Sequence, residues 1–403
     1  MSRSAVYLDN HSTTKPDPRV VEAMLPYLTE VYGNAASVSH RFGRDAAEAV
    51  ERARVQVAGA LGAAPREIVF TSGATEANNL AIKGVLPGLR RRGDHLVATT
   101  VEHKSVLDVV ERLAREDDWK LTLVPCDESG RVDAEAVRQA LRPETVLVSV
   151  MTANNEVGTI NPIREIGAIC HERGVVFHTD ATQAVGKLDL NVEADQIDLL
   201  SLSAHKLYGP KGIGALYVRR RDPQVRLRPL FDGGGHERGM RSGTLAVPLI
   251  VGLGAAVELA IRERSVDLPR IRGLRDRLEA GIRDRVSDVT LNGHPVARLD
   301  GNLNLSFAYV DGEALMMAMR DIAVSSGAAC TSAEPESSHV LRAMGRDEDS
   351  ARASLRFGVG RFNTADEIDF AIELVANAVS TLRLHSAAWT AGAGRNSSEH
   401  VSG

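Results

Sequence analysis

Ser203-Ala204-His205-Lys206-Leu207-Tyr208-Gly209-Pro210-Lys211-Gly212 is the stretch from which the fold can be read. It follows residues 197–202, an apolar run that reads as a buried strand leaving a sheet. Tyr208-Gly209-Pro210 then turns the chain. A lysine just past a strand end, among small and turn-forming residues, suits condensation with a carbonyl. An exposed amine is mostly protonated near neutral pH, whereas partial burial lowers its pKa and frees it as a nucleophile. Ser203 and His205 flank Lys206 as donors suited to a phosphate. Taken alone, Lys206 reads more readily as a residue of a polar surface loop. Its partners elsewhere in the chain decide between the two.

The pattern upstream is a series of apolar strands, each followed by a small or polar turn. Strands are expected at 5–8, 68–70, 95–99, 121–125, 146–151 and 175–179, and helices at 18–29, 44–61, 134–141 and 162–173. Alternation of strand and helix from about 68 to 218 predicts a mostly parallel, doubly wound sheet. After strand 68–70, Thr71-Ser72-Gly73-Ala74-Thr75-Glu76 opens a helix, which reads as an anion site or as simple helix capping. His103 follows strand 95–99 on the edge where such sheets bind ligands, or caps the next element. Asn155 lies in the polar loop after 146–151. Asp180 ends strand 175–179, with Gln183 three residues on, and reads either as a ligand-facing carboxylate or as a turn cap.

Downstream, Gly233-Gly234-Gly235-His236-Glu237-Arg238-Gly239-Met240-Arg241-Ser242-Gly243-Thr244 is a glycine-rich polar loop whose glycines permit positive φ. Thr244 opens a helix expected at 245–264, and a second helix is expected at 268–286. The pattern then changes to a smaller α+β region, with a strand at 304–309 and helices at 312–320 and 366–384. We therefore expect a large domain at 15–264, a small domain formed by 1–14 and 265–390, and a disordered tail at 391–403. Cys330 sits in Ser325-Ser326-Gly327-Ala328-Ala329-Cys330-Thr331-Ser332, among small polar residues rather than core ones, as a mobile thiolate would. Arg356 and Arg361, on a strand or its exit, suit a substrate carboxylate.

With 403 residues, 43% of them hydrophobic, the chain can bury a large core. A net charge of -5, from 48 basic and 53 acidic residues, implies neither a nucleic-acid footprint nor a membrane-surface patch. Cys126, Cys170 and Cys330 show no metal-ligand spacing and no disulfide framework. The start, MSRSAVYLDN, lacks the apolar segment of a signal peptide, and no apolar run is long enough to span a bilayer, so a cytoplasmic location is expected.

In order and spacing, Gly73-Ala74-Thr75, His103, Asn155, Asp180, Gln183, Ser203-Ala204-His205-Lys206, Gly239–Thr244 and Cys330 resemble the cysteine desulfurases of the NifS/IscS-like family. These belong to the fold-type-I, aminotransferase class V group of pyridoxal-phosphate enzymes. The resemblance covers nearly the whole chain, and SAHKLYGPKGIGALYVRR and GGGHERGMRSGT are its most specific pieces. It implies an α/β fold-type-I transferase and pyridoxal 5'-phosphate as cofactor. Lys206 would anchor the coenzyme and move protons, Asp180 would pair with the pyridine nitrogen, and His103 would stack on the ring. Asn155 and Gln183 would reach the ring oxygen. Ala74, Thr75, Ser203 and His205 would bind the phosphate, joined by Thr244 from the partner of a homodimer. Asn34 and Arg356 would hold the carboxylate of L-cysteine, and Cys330 would take its sulfur as a persulfide, releasing L-alanine. No resident metal is implied, only a transient iron–sulfur contact of Cys330 with a scaffold partner.

The resemblance leaves the final acceptor open between iron–sulfur assembly, tRNA thiolation and a molybdenum-cofactor route. The segment at Cys330 reads SSGAACTS, slightly altered from the commonest form, and the tail after Trp389 departs from the housekeeping Isc enzyme. Two rival readings stand beside it: a selenocysteine lyase or other pyridoxal-phosphate β-eliminase, and a non-catalytic pyridoxal-phosphate-binding scaffold.

Overall fold

The computed structural model describes residues 5–326, 337–386 and 389. Cys330 and the expected tail at 391–403 lie outside the described residues.

The main sheet has seven strands in the order Ile68–Thr71, Gly214–Val218, Leu199–Ser203, Val176–Asp180, Thr145–Ser149, His95–Thr99, Lys120–Val124. Every strand but Gly214–Val218 points the same way, and that one runs antiparallel to both neighbours. Helices cover both faces, so strands such as Val176–Asp180 and Leu199–Ser203 are buried along their whole length. This is why they read as unbroken apolar runs rather than alternating ones. Only Lys120–Val124, at the sheet edge, is largely unburied.

Two apolar clusters lie against this sheet. One holds Phe70, Val148, Phe177 and Leu202 with the helix Arg41–Leu61. The other holds Leu80, Leu96, Val110 and Leu216, to which the helices Ala74–Leu89 and Lys104–Glu116 contribute. Arg41–Leu61 begins where His40 accepts from the Gly43 amide at 3.2 Å, and it ends at Gly62, whose φ of 67° is left-handed.

A separate cluster gathers Val6, Leu8, Leu278, Leu303, Phe307, Phe357 and Val375. Its antiparallel sheet runs Ser325–Ser326, Ser354–Gly358, Asn302–Phe307, Val289–Asn292, backed by the helix Ala365–Leu384. The chain start belongs here too, since Val6–Tyr7 pairs in parallel with Ile322–Ala323. It then crosses to the main sheet, where the Thr14 amide donates to the His205 carbonyl at 2.9 Å. The crossing runs so close to Gly358 that a Cβ there would meet the Asn10 nitrogen at 2.7 Å. Only glycine fits.

The sequence pattern predicts two helices, 245–264 and 268–286. The structure has one, Val247–Arg283, continuous for 37 residues through Pro269. A proline inside a helix costs a backbone hydrogen bond. Asp267, placed to cap a new helix, instead accepts from Arg361 Nε at 2.7 Å. One helix thereby enters both cores, with Leu253 and Val257 in the first and Leu278 and Ile282 in the other.

Candidate active site

The turns after the parallel strands open into one cavity of about 560 Å³ at the carboxyl edge of the sheet. Gly73, Ala74 and Thr75 line it from the exit of Ile68–Thr71, and His103 from beyond His95–Thr99. Asn155 comes from beyond Thr145–Ser149, Asp180 and Gln183 from Val176–Asp180, and Ser203, His205 and Lys206 from Leu199–Ser203. Arg356 enters from the smaller sheet. Parallel strands deliver their C-terminal turns to one edge, so distant residues meet there.

Lys206 closes the short 3-10 turn Ala204–Lys206. Its Nζ donates to the His11 carbonyl at 2.7 Å and also to the Ser12 carbonyl. Burial, and then the Arg356 guanidinium, lower the amine to about 8, against the opposing pull of Asp9 and Asp180. A substantial fraction is therefore free base in weakly alkaline solution.

The residues present fit a phosphorylated ring aldehyde. At one end, the helix Ala74–Leu89 starts at Gly73, which has no side chain to cap it, so the first amides stay open to an anion. Ser203 and His205 lie beside them. Burial, with Lys206, Lys211 and Lys187 nearby, pulls the His205 imidazole down to about 4, and its Nδ1 meets Thr13 Oγ1 at 3.1 Å. A neutral His205 keeps one ring nitrogen for a ligand.

At the ring end, Asp180 is held from two sides. Its Oδ2 accepts from Asn78 Nδ2 at 2.8 Å and its Oδ1 from the Thr182 amide at 2.9 Å. His103 is the N-cap of Lys104–Glu116, its Nδ1 accepting from the Ser105 amide at 3.1 Å. The capping reading and the ligand-edge reading of His103 are thus compatible. The Gln183 amide donates to the His11 carbonyl at 2.9 Å and accepts from Lys187 Nζ at 3.1 Å.

Arg356 donates to the Asn155 carbonyl at 2.9 Å, and to Asp9 and Ser325 at 2.8 Å each, while its Nε is buried without a partner among the described residues. Two expected residues are not in this cavity. Asn34 is exposed and its side-chain oxygen accepts from the Ala36 amide at 2.9 Å. Thr244 is exposed at the end of the glycine-rich loop. Cys330 lies outside the described residues. Cys126 and Cys170 are free thiols that burial pushes up in pKa, so neither suits a nucleophile.

Three participants escape a reading by strand ends. His11, fully buried, lines the cavity, and its Nε2 has no partner among the described residues. The polar run Asp9–Thr14 after the first strand is its only signal. Lys187 is half-buried next to the site, and desolvation and the nearby Lys206 charge lower it to about 7. Glu102 binds Thr99 Oγ1 at 2.7 Å and the Met151 amide at 2.8 Å, and burial pushes it up to about 8. Nothing in the local pattern marks either of these two. Among the described residues no helix is long and apolar enough to cross a membrane, and no cluster of His, Cys, Asp or Glu has the makings of a metal site.

Comparison with known proteins agrees with this geometry. The aminotransferase class-V model matches residues 6–370. The chain is 57% identical over 378 residues to a cysteine desulfurase IscS of Anaeromyxobacter dehalogenans (strain 2CP-C), covering 94% of this chain and 93% of that protein. It is 54% identical over 384 residues to a cysteine desulfurase of Homo sapiens, covering 95% of this chain and 84% of that one. A solved NifS-like protein superposes with a TM-score of 0.87 at 37% identity, covering 94% of this chain and all of its own. A pocket built around a strand-end lysine, together with a match along almost the whole length, shows that the chain belongs to the aminotransferase class-V family of pyridoxal-phosphate enzymes.

Proposed function

We propose that this chain is a pyridoxal-phosphate-dependent cysteine desulfurase that moves the sulfur of L-cysteine onto Cys330 and releases L-alanine, supplying sulfur for iron–sulfur cluster assembly. The observation that carries the reading is Lys206, an amine lowered to about 8 in a cavity whose open helix start, buried carboxylate and arginine lie around it.

Pyridoxal phosphate, when bound, supplies a ring that delocalises the electron pair left when the substrate Cα loses its proton. Lys206 anchors the coenzyme, takes the Cα proton and returns one to the three-carbon fragment. The amides at Thr75 and Glu76, with Ser203 and neutral His205, hold the phosphate. Asp180, oriented by its hydrogen bonds from Asn78 and Thr182, would hold the pyridine nitrogen as an acceptor. His103 would lie against the ring, and Asn155 and Gln183 would serve the ring oxygen. Arg356, which lines the cavity, takes the substrate carboxylate. The Cys330 thiolate attacks the substrate Sγ, the Cβ–Sγ bond breaks, and a persulfide remains on Cys330.

Thr244 belongs to the neighbour's phosphate site in a homodimer, Asn34 to the substrate carboxylate, and the persulfide passes to a scaffold protein in the cytoplasm. The test is direct. Purified protein given L-cysteine and a reductant should form alanine, and Cys330→Ala should abolish it while leaving the bound coenzyme in place. Alanine formation that survives Cys330→Ala would refute the persulfide route and favour a β-eliminase.

A further inference from the structure

An ion pair that the reaction above does not use stands at the phosphate end of the cavity. Arg241 Nε lies 2.8 Å from Glu76 Oε1, and its Nη2 lies 3.3 Å from Glu76 Oε2. The same Oε2 accepts from the Ser72 amide at 2.8 Å. Glu76 and Ser72 line the cavity beside Gly73, Ala74 and Thr75. A carboxylate is an unexpected neighbour for a phosphate. It carries the same sign of charge and occupies an amide that an anion would otherwise use. Nor is this carboxylate neutralised by protonation. Burial alone would raise it, but the bonds from Arg241 and Ser72 outweigh burial and hold it below its ordinary value. The charge at Glu76 is therefore present, and Arg241 is what offsets it.

Arg241 arrives on the glycine-rich loop, and that loop is fastened to the strand that leads into the phosphate end. Glu237, almost wholly buried, binds both Arg54 amino nitrogens at 2.8 Å and the Phe70 amide at 2.8 Å. Phe70 belongs to Ile68–Thr71, which runs into Gly73. Glu237 and Arg238 hold φ of 48° and 58°, left-handed values that cost free energy for non-glycine residues and persist only when surroundings enforce them. The buried pair is that enforcement, and it fixes where Arg241 falls.

We infer that Arg241 is a specificity-determining residue for the phosphate end of the coenzyme: by cancelling the Glu76 charge it allows the helix start at Gly73–Thr75 to accept a dianion. This rests on the reading of that helix start as the phosphate site. Arg241 acts through Glu76, so it governs the preference for a phosphorylated over an unphosphorylated aldehyde and leaves the affinity for the ring itself alone.

The experiment titrates apoprotein with pyridoxal phosphate and with pyridoxal, following absorbance and fluorescence without turnover. Arg241→Gln should lower the preference for pyridoxal phosphate over pyridoxal by about tenfold, the scale of one charged contact. Glu76→Gln/Arg241→Gln, which removes both charges, should recover most of that preference. Arg241→Lys, which keeps the charge without the fork, should stay within about threefold of the parent, and it carries the test should Arg241→Gln not fold. Equal losses for both aldehydes in Arg241→Gln would make the pair merely structural and overturn the proposal. A double variant no better than the single one would overturn it too. A parent protein with no preference for the phosphorylated aldehyde would instead remove the phosphate-site reading itself, and the proposal with it.

Discussion

Arg356 and Arg361 leave the same stretch of chain five residues apart, and their side chains are about equally buried, 9% and 8% exposed. Their surroundings differ. Arg361 donates to Asp267 at 2.7 Å and to Asp17 at 2.8 Å, reaches Glu263 at 3.5 Å, and stacks over the Tyr208 ring at 4.6 Å. Arg356 lines the cavity, pairs with one carboxylate, Asp9, and has a buried Nε without a partner among the described residues. A satisfied arginine surrounded by acids is a fastener between segments. One with a spare donor at a cavity is a receptor for an anion. The residue type and the spacing are shared, and only the state of satisfaction tells the two apart.

The sharpest way to break this contrast is Arg361→Met. It leaves Asp267 without its closest partner and Asp17 with Arg19 alone, and we expect a loss of about 2–3 kcal/mol in urea unfolding. Arg356→Gln should do the reverse. Its urea midpoint should move far less, while kcat/KM for L-cysteine falls about 100-fold, mostly through KM. Equal losses of stability in the two variants would erase the distinction.

A titration sharpens it further. Arg356 is among the causes that lower Lys206 to about 8, so the free amine is gained as pH rises through that value. The rate at which the apoprotein condenses with pyridoxal phosphate should show a rising limb near pH 8. Arg356→Gln removes a positive neighbour, raises the Lys206 pKa, and moves the limb to higher pH. Arg361→Met should leave the limb where it is, and a shift there would contradict the assignment.

The smallest effect concerns Glu102, whose Oε2 is also buried and unpartnered among the described residues. Here the orphan is explained by a proton rather than a ligand, because burial raises the carboxyl from 4.5 to about 8. With the folded value above the unfolded one, the stability it favours is full below pH 4.5 and is lost as pH rises through about 8. Glu102→Gln should therefore match the parent near pH 5 and exceed it by about 1 kcal/mol at pH 9. A parent and variant with parallel stability curves would refute a neutral Glu102.

How far the sequence was legible follows from the same contrast. The turns bearing Lys206, Asp180, His103 and Asn155 were readable because an apolar run ending in polar residues is a local signal, and a parallel sheet brings such ends together. Arg356 and Arg361 were both visible as arginines, but choosing between their roles needed Asp17 and Asp267, hundreds and tens of residues away. Strand Gly214–Val218 reads as one more apolar run, and its reversed direction is set by pairing with strands on both sides. His11 was missed because its placement arises from a crossing of the chain start over Gly358, a contact no local period encodes. The join at 264–268 misled because Asp267 and Pro269 look like a helix beginning, and the acid is claimed by Arg361 instead.

The helix Val247–Arg283 has a mechanical consequence. At 1.5 Å per residue its 37 residues make a rod about 55 Å long, set into both cores and starting three residues past Thr244. The two bodies cannot fold toward each other about a joint in that rod as they would about a loop. A tilt applied at its far end by the smaller body becomes a displacement at its near end, where the glycine-rich loop begins. The start of that rod and the smaller core are thus carried on one continuous element.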